Sequence, residues 1–115
     1  MTVNVLFAGV PVTRLVDALP WYESLFGRAP DIVPHDTEVM WNVVGDGWLY
    51  VVEDAPRAGH SLVALAVADL DDALADVRER GLVPDSVEDV GDAARKATLL
   101  DPDGNSVSFL EVKDA

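Results

Sequence analysis

Apolar and polar positions follow two periods along this chain, and the order of the periods repeats. Residues 3–12 and 61–67 are apolar, strand-like runs, and each leads through a short turn into a stretch with helical spacing. In the first stretch Leu19, Tyr22 and Phe26 form one stripe, and Gly27 ends it. Asp17 is the candidate cap there, which makes Pro20 the third helical residue, where a missing N–H removes no intrahelical bond. In the second stretch Leu70, Ala73, Leu74 and Val77 recur at helical spacing, Asp76 and Arg80 are placed for an i,i+4 ion pair, and Gly81 stops the run.

Three strand-like segments follow each helix. The first set is 31–34, 38–44 and 48–53, with Gly45-Asp46-Gly47 as a hairpin signal; the second is 85–90, 95–100 and 105–112, with Asp101-Pro102-Asp103-Gly104-Asn105 as the hairpin. Both halves read β-α-β-β-β. Val12, Leu15, Asp17, Ala18 and Leu19 recur as Val67, Leu70, Asp72, Ala73 and Leu74 at one constant offset close to half the chain length, the mark of a duplication. The expected fold is α+β: one domain over 1–115, built of half-modules 1–55 and 56–115, with residues 53–59 as the only linker. Sheets of this kind, set side by side, curve into a cup with helices outside and an inner face able to enclose a ligand.

Composition narrows the function. The 115 residues carry 8 Lys+Arg against 21 Asp+Glu, a formal charge of -13, which repels phosphate backbones and anionic lipid headgroups; nucleic acid and membrane partners are not expected. The absence of cysteine removes disulfides, thiolate zinc sites and cysteine nucleophiles. No basic region precedes the short apolar run at the N-terminus, and no stretch reaches the length of a bilayer span, so a soluble, cytoplasmic protein is expected.

The duplicated pattern resembles the vicinal-oxygen-chelate superfamily (glyoxalase, bleomycin-resistance protein, extradiol dioxygenase). The resemblance rests on Val10-Pro11-Val12-Thr13-Arg14-Leu15 with Leu19, Trp21-Tyr22 and Leu25-Phe26-Gly27 in the first half. In the second half it rests on Leu65-Ala66-Val67-Ala68-Asp69-Leu70, Arg80-Gly81 and Leu100-Asp101-Pro102-Asp103-Gly104-Asn105. It covers nearly the whole chain. In metal-using members, the resemblance implies, a divalent ion in the cup is held by His or Glu from the first and last strand of each half. The family spacing puts those positions at Phe7, Val51, Leu62 and Ser108, with a slip of one residue allowed at Val51. Such side chains do not hold a cation, so no metal and no cofactor are expected.

Strand alternation then assigns Phe7, Leu49, Val51, Glu53, Leu62, Ala64, Ser106, Ser108 and Leu110 to the cup, and Val12, Tyr50, Val63, Leu65, Val107 and Phe109 to the helix side. Trp41 and Trp48, on adjacent strands across the first hairpin, are candidates for stacking on a planar ligand. The expected ligand-binding set is Phe7, Trp41, Trp48, Val51, Glu53, Leu62, Ser106 and Ser108. The acidic field, with Glu53, Glu38 and Asp36, favours a cationic aromatic molecule, as the bleomycin-resistance branch of the resemblance implies.

Three readings follow. The leading one is a metal-independent binding protein, a homodimer that sequesters an apolar or cationic aromatic antibiotic or metabolite. The second is an enzyme, either a lyase, isomerase or dioxygenase relative with a rearranged metal site using His35, Glu38 or Glu53, or a metal-free acid-base catalyst. The third is an interaction module whose cup is filled by its own side chains.

Overall fold

The strands and helices of this protein, described over residues 1–113 in a computed structural model, follow the sequence pattern closely. Their order is β1 (Leu6–Val12), α1 (Leu15–Phe26), β2 (Ile32–His35), β3 (Glu38–Val44), β4 (Gly47–Glu53), β5 (Leu62–Ala66), α2 (Leu70–Glu79), β6 (Ser86–Val90), β7 (Ala94–Leu100) and β8 (Ser106–Val112). The first module forms a four-stranded sheet in the order β1-β4-β3-β2 and the second one in the order β5-β8-β7-β6. In each, the first strand runs parallel to the last and the remaining pairs are antiparallel. The architecture is therefore two βαβββ modules in an α+β fold. Pro11 sits on the free edge of β1, where a residue without an N–H breaks no ladder.

Both helices start at a leucine whose N–H is satisfied from the end of the module's last strand. Glu53 Oε1 accepts from Leu15 N at 2.9 Å, and Glu111 Oε1 accepts from Leu70 N at 2.7 Å. A carboxylate at that point pairs with an orphan donor and with the positive end of the helix dipole. Asp69 adds a cap to α2 by accepting from Asp72 N at 3.0 Å. Asp17 does not cap α1: the helix begins two residues earlier, Arg14 occupies the cap position without a side-chain bond, and Asp17 lies in the first turn. Pro20 consequently falls in the helix interior on its exposed side.

Arg80 does not pair with Asp76. Its guanidinium reaches the other helix instead, donating through Nε to Ser24 O and through Nη2 to Leu25 O at 3.0 Å, the open carbonyls at the end of α1. This is one polar tie between the modules; Thr13 N donating to Asp103 Oδ2 at 3.1 Å is another. A third is a buried cluster around the turn joining β7 and β8. Asp101 accepts from Tyr22 Oη at 2.7 Å and from Asn105 Nδ2 at 2.9 Å, and its second oxygen accepts from the N–H groups of Asp103 and Asn105. Asn105, fully buried, also donates to Pro11 O at 2.8 Å and accepts from Gly59 N and Ser61 N at 3.0 Å each. All four of its side-chain hydrogen-bonding positions are thus used.

The connection between modules is correspondingly constrained. It contains a 3-10 turn at Ala55–Arg57, and Gly59 has φ +93° with its Cα so close to the Asp103 carbonyl that a Cβ would stand 2.7 Å from that oxygen. The helix-facing side chains of both sheets merge into one buried cluster, in which Val10, Tyr22 and Trp41 of the first module join Leu70, Val77 and Phe109 of the second.

Candidate functional site

Because both sheets turn their helix sides toward the shared core, the other face of each sheet is left open. Register identifies what that face carries. In the first module Phe7 lies opposite Trp48, Gly9 opposite Tyr50, and Tyr50 opposite Met40. Phe7 and Trp48 stack, with ring centroids 6.4 Å apart and planes inclined by 28°. The Tyr50 ring lies across Gly9, where a Cβ would come within 2.6 Å of the phenol oxygen. Glycine on β1 is what lets this ring lie flat against the strand. The result is an aromatic platform.

The open face of the second module is different. Leu62 lies opposite Ser106 and Ala64 opposite Ser108, while Ser108 lies opposite Thr98, with their hydroxyl oxygens 3.0 Å apart. Lys96 joins Leu62, Ala64, Ser106 and Ser108 around a depression of about 130 Å3. Small side chains make this face hollow where its counterpart is filled. Phe7 is 53% and Leu62 88% exposed, so both faces present large apolar side chains to solvent.

The larger cavity, about 390 Å3, lies elsewhere. It runs between the modules on their helix sides, lined by Phe26, Arg28, Val43, Leu65, Val67 and Phe109 among others. Arg28 at its edge is held by Asp31 at 3.0 Å and by the Asn42 carbonyl at 2.7 Å, and that guanidinium keeps the exposed Asp31 carboxyl below the usual carboxylate range.

Of the expected ligand-binding residues, Phe7, Trp48, Leu62 and Ser106 lie on the open faces, and Ser108 points the same way but sits at the floor of the second face, 3% exposed. Three do not. Val51 is fully buried against the helix side, Trp41 is fully buried between Tyr22 and Phe26, and Glu53 caps α1. Leu49 is likewise buried, and Tyr50 takes the open face assigned to it and to Val51. The cause is a one-residue difference between the hairpins. Tyr50 lies three residues after Gly47, whereas its equivalent Ser108 lies four residues after Gly104, so equal counts from the two glycines reach opposite faces. The parallel ladders show the true equivalence, Gly9 with Tyr50 and Ala64 with Ser108. Trp41 and Trp48 occupy adjacent strands but point to opposite sides, since Trp41 faces Leu49 across the ladder and Asn42 faces Trp48.

The same correction fixes the donor set at the positions where relatives would hold a divalent ion: Phe7, Tyr50, Leu62 and Ser108. One phenol and one hydroxyl, with two hydrocarbons, do not fit such an ion, which needs several carboxylate or imidazole ligands converging on a point. His35 and Glu38 form a pair 3.6 Å apart at the strand ends, but Glu53 lies on the other side of the sheet and cannot join them. Among the described residues no group of three or more His, Asp or Glu side chains converges. Among the described residues no helix is long and apolar enough to cross a membrane.

Comparison with known proteins agrees with this architecture. The family model described as the glyoxalase/bleomycin resistance protein/dioxygenase superfamily matches residues 4–109. A glyoxalase/bleomycin resistance protein from Catenulispora acidiphila DSM 44928 is similar at 43% identity and a TM-score of 0.90, over 95% of this chain and 98% of that one. TnmS3, an antibiotic binding protein from Streptomyces sp. CB03234, shares 24% identity with a TM-score of 0.75, over 97% and 98% of the two chains. Lactoylglutathione lyase from Agrobacterium tumefaciens shares the fold at 16% identity and a TM-score of 0.77, over 96% and 95%. No curated protein matches the sequence. A duplicated βαβββ fold, open sheet faces and a family match over most of its length together mean that this chain belongs to the glyoxalase/bleomycin resistance protein/dioxygenase superfamily.

Proposed function

We propose that the protein is a metal-independent binding protein for a flat, largely apolar small molecule, and that its site is assembled between two copies of the chain. The observation that carries this reading is the aromatic platform of Phe7, Trp48 and Tyr50 on an outward-facing sheet. Exposed aromatic side chains are costly to leave in water, and a stacked pair presents the planar surface on which an aromatic ligand lies.

The case for two copies is geometric. Within one chain the modules meet through their helix sides, and the ties made by Arg80, Tyr22 and Asn105 hold them there. A single chain therefore leaves each sheet with one uncovered face. In a homodimer the platform of one copy faces the hollow of Leu62, Ala64 and Ser108 of the other, and two equivalent cups result. A ligand between them loses water on both sides. Sequestration of an antibiotic or metabolite is the role in keeping with this arrangement, and one solved relative is itself an antibiotic binding protein.

The experiment combines mass and fluorescence. Light scattering on the eluting protein is expected to give twice the chain mass. Of the three tryptophans, Trp48 alone lies on an open face, so planar aromatic ligands are expected to quench one component of the emission, and Trp48→Leu to remove that response. A monomer at micromolar concentration, or quenching that survives Trp48→Leu, overturns the proposal.

A further inference from the structure

We infer that Lys96 selects the ligand's charge, and that the molecule taken into this cup is a planar aromatic acid, with a carboxylate or phenolate end set on Lys96 and the Ser106 and Ser108 hydroxyls. The inference rests on the open faces being the ligand site, and it departs from the expectation of a cationic ligand that net charge suggests.

Among the described residues Lys96 is the one cation that the strands place on the hollow face. It is half-buried on β7 and, among the described residues, makes no ion pair, although the chain carries 21 acids. Its neighbours across the ladder are Leu110 on β8 and Glu88 on β6. Glu88 forms no ion pair with it, and Lys96 lines the same depression as Leu62, Ala64, Ser106 and Ser108. An ammonium group, two hydroxyls and the apolar side chains of Leu62 and Ala64 around one hollow form a receptor for an oxyanion attached to a hydrocarbon.

Closing the cup makes this requirement stronger. An ammonium covered by a second copy and an apolar ligand loses its water, and it keeps its charge only if an anion replaces that water. The facing platform module offers little to supply it: its one acid on that face, Glu38, lies at the strand end 3.6 Å from His35, and the ladder sets Phe7, Met40, Asn42, Trp48, Tyr50 and Val52, none of them acidic, across the rest. The overall charge of -13 does not decide the matter, because carboxylates beyond the Debye length of about 8 Å are screened, whereas a contact inside the cup is not.

The test uses the intact dimer and three probes of one shape: 2-naphthoate, 2-naphthalenemethanol and 2-naphthylmethylammonium, titrated by calorimetry at pH 7. The naphthoate is expected to bind about tenfold or more tightly than the other two, as a charge-assisted hydrogen bond requires. Lys96→Met is expected to remove that advantage while leaving naphthalenemethanol within about twofold, and Lys96→Arg to keep it. Equal or tighter binding of the ammonium probe overturns the inference but leaves the aromatic binding site standing. So does a Lys96→Met variant that weakens all three probes alike or dissociates the dimer, because Lys96 then serves the interface. Failure of all three probes to bind the wild-type protein overturns the binding site itself, and the inference with it.

Discussion

Replacing Asn105 with alanine tests whether the turn before the last strand is merely a hairpin or the joint between the modules. The side chain is fully buried and makes four hydrogen bonds, to Gly59 N, Ser61 N, Pro11 O and Asp101 Oδ2. Each buried group left without a partner costs about 1 to 3 kcal/mol. Gly59, Ser61 and Pro11 are only partly buried, so water recovers a share of three of these, and the net loss is about 3 to 4 kcal/mol. At roughly 4 °C per kcal/mol for a domain of this size, the melting temperature falls by about 12 to 16 °C. Urea denaturation followed by circular dichroism measures the loss directly, with the slope unchanged if the unfolded state is unaffected. Asn105→Asp keeps the shape but has no amide to donate to Asp101 and Pro11, and it is expected to rescue little. A loss under about 1 kcal/mol for Asn105→Ala, the ordinary effect of a turn residue, refutes the reasoning, and with it the claim that this cluster holds the modules together.

Two further outcomes follow from the same contacts. Burial first, then the bond to Asp101, pushes the Tyr22 hydroxyl well above its ordinary range, so the native state resists its ionisation while the unfolded chain ionises near pH 10. The stability contributed by neutral Tyr22 is thus complete below about pH 10 and is lost above it by about 1.4 kcal/mol per pH unit, whereas Tyr22→Phe lacks this fall. Urea midpoints at pH 7 to 11 are expected to show the variant about 1 to 2 kcal/mol less stable at pH 7 and the two proteins converging above pH 10; parallel curves would contradict the assignment. Glu53→Ala and Glu111→Ala remove equivalent helix caps, so each is expected to cost about 1 kcal/mol in thermal unfolding, a loss of one without the other being the result that rejects their equivalence.

How much of this was legible in the chain depends on the range over which each feature is decided. Strand and helix periods are local, and the repeat of Leu15 and Ala18 as Leu70 and Ala73 announces two copies of one unit, so the βαβββ modules and their family resemblance follow from sequence alone. The helix side of the second module was readable for the same reason: Val63, Leu65, Val107 and Phe109 alternate with small or polar residues. In the first module that contrast is missing, because β4 carries Trp48, Leu49, Tyr50, Val51 and Val52 in succession. Five apolar residues in a row fit either face, and only the ladder to β1 sets Tyr50 outward and Val51 inward.

The long-range polar contacts were not legible at all. Nothing in the spacing says that Glu53 bonds Leu15, that Arg80 abandons Asp76 for the end of the other helix, or that Tyr22 meets Asp101. A carboxylate or guanidinium has several partners within reach along the chain, and packing, which brings residues far apart in sequence within 3 Å, decides among them. Those contacts also settle which way the two sheets face. Local pattern therefore determined the modules, while tertiary packing determined that their aromatic and hollow faces turn outward from a common core.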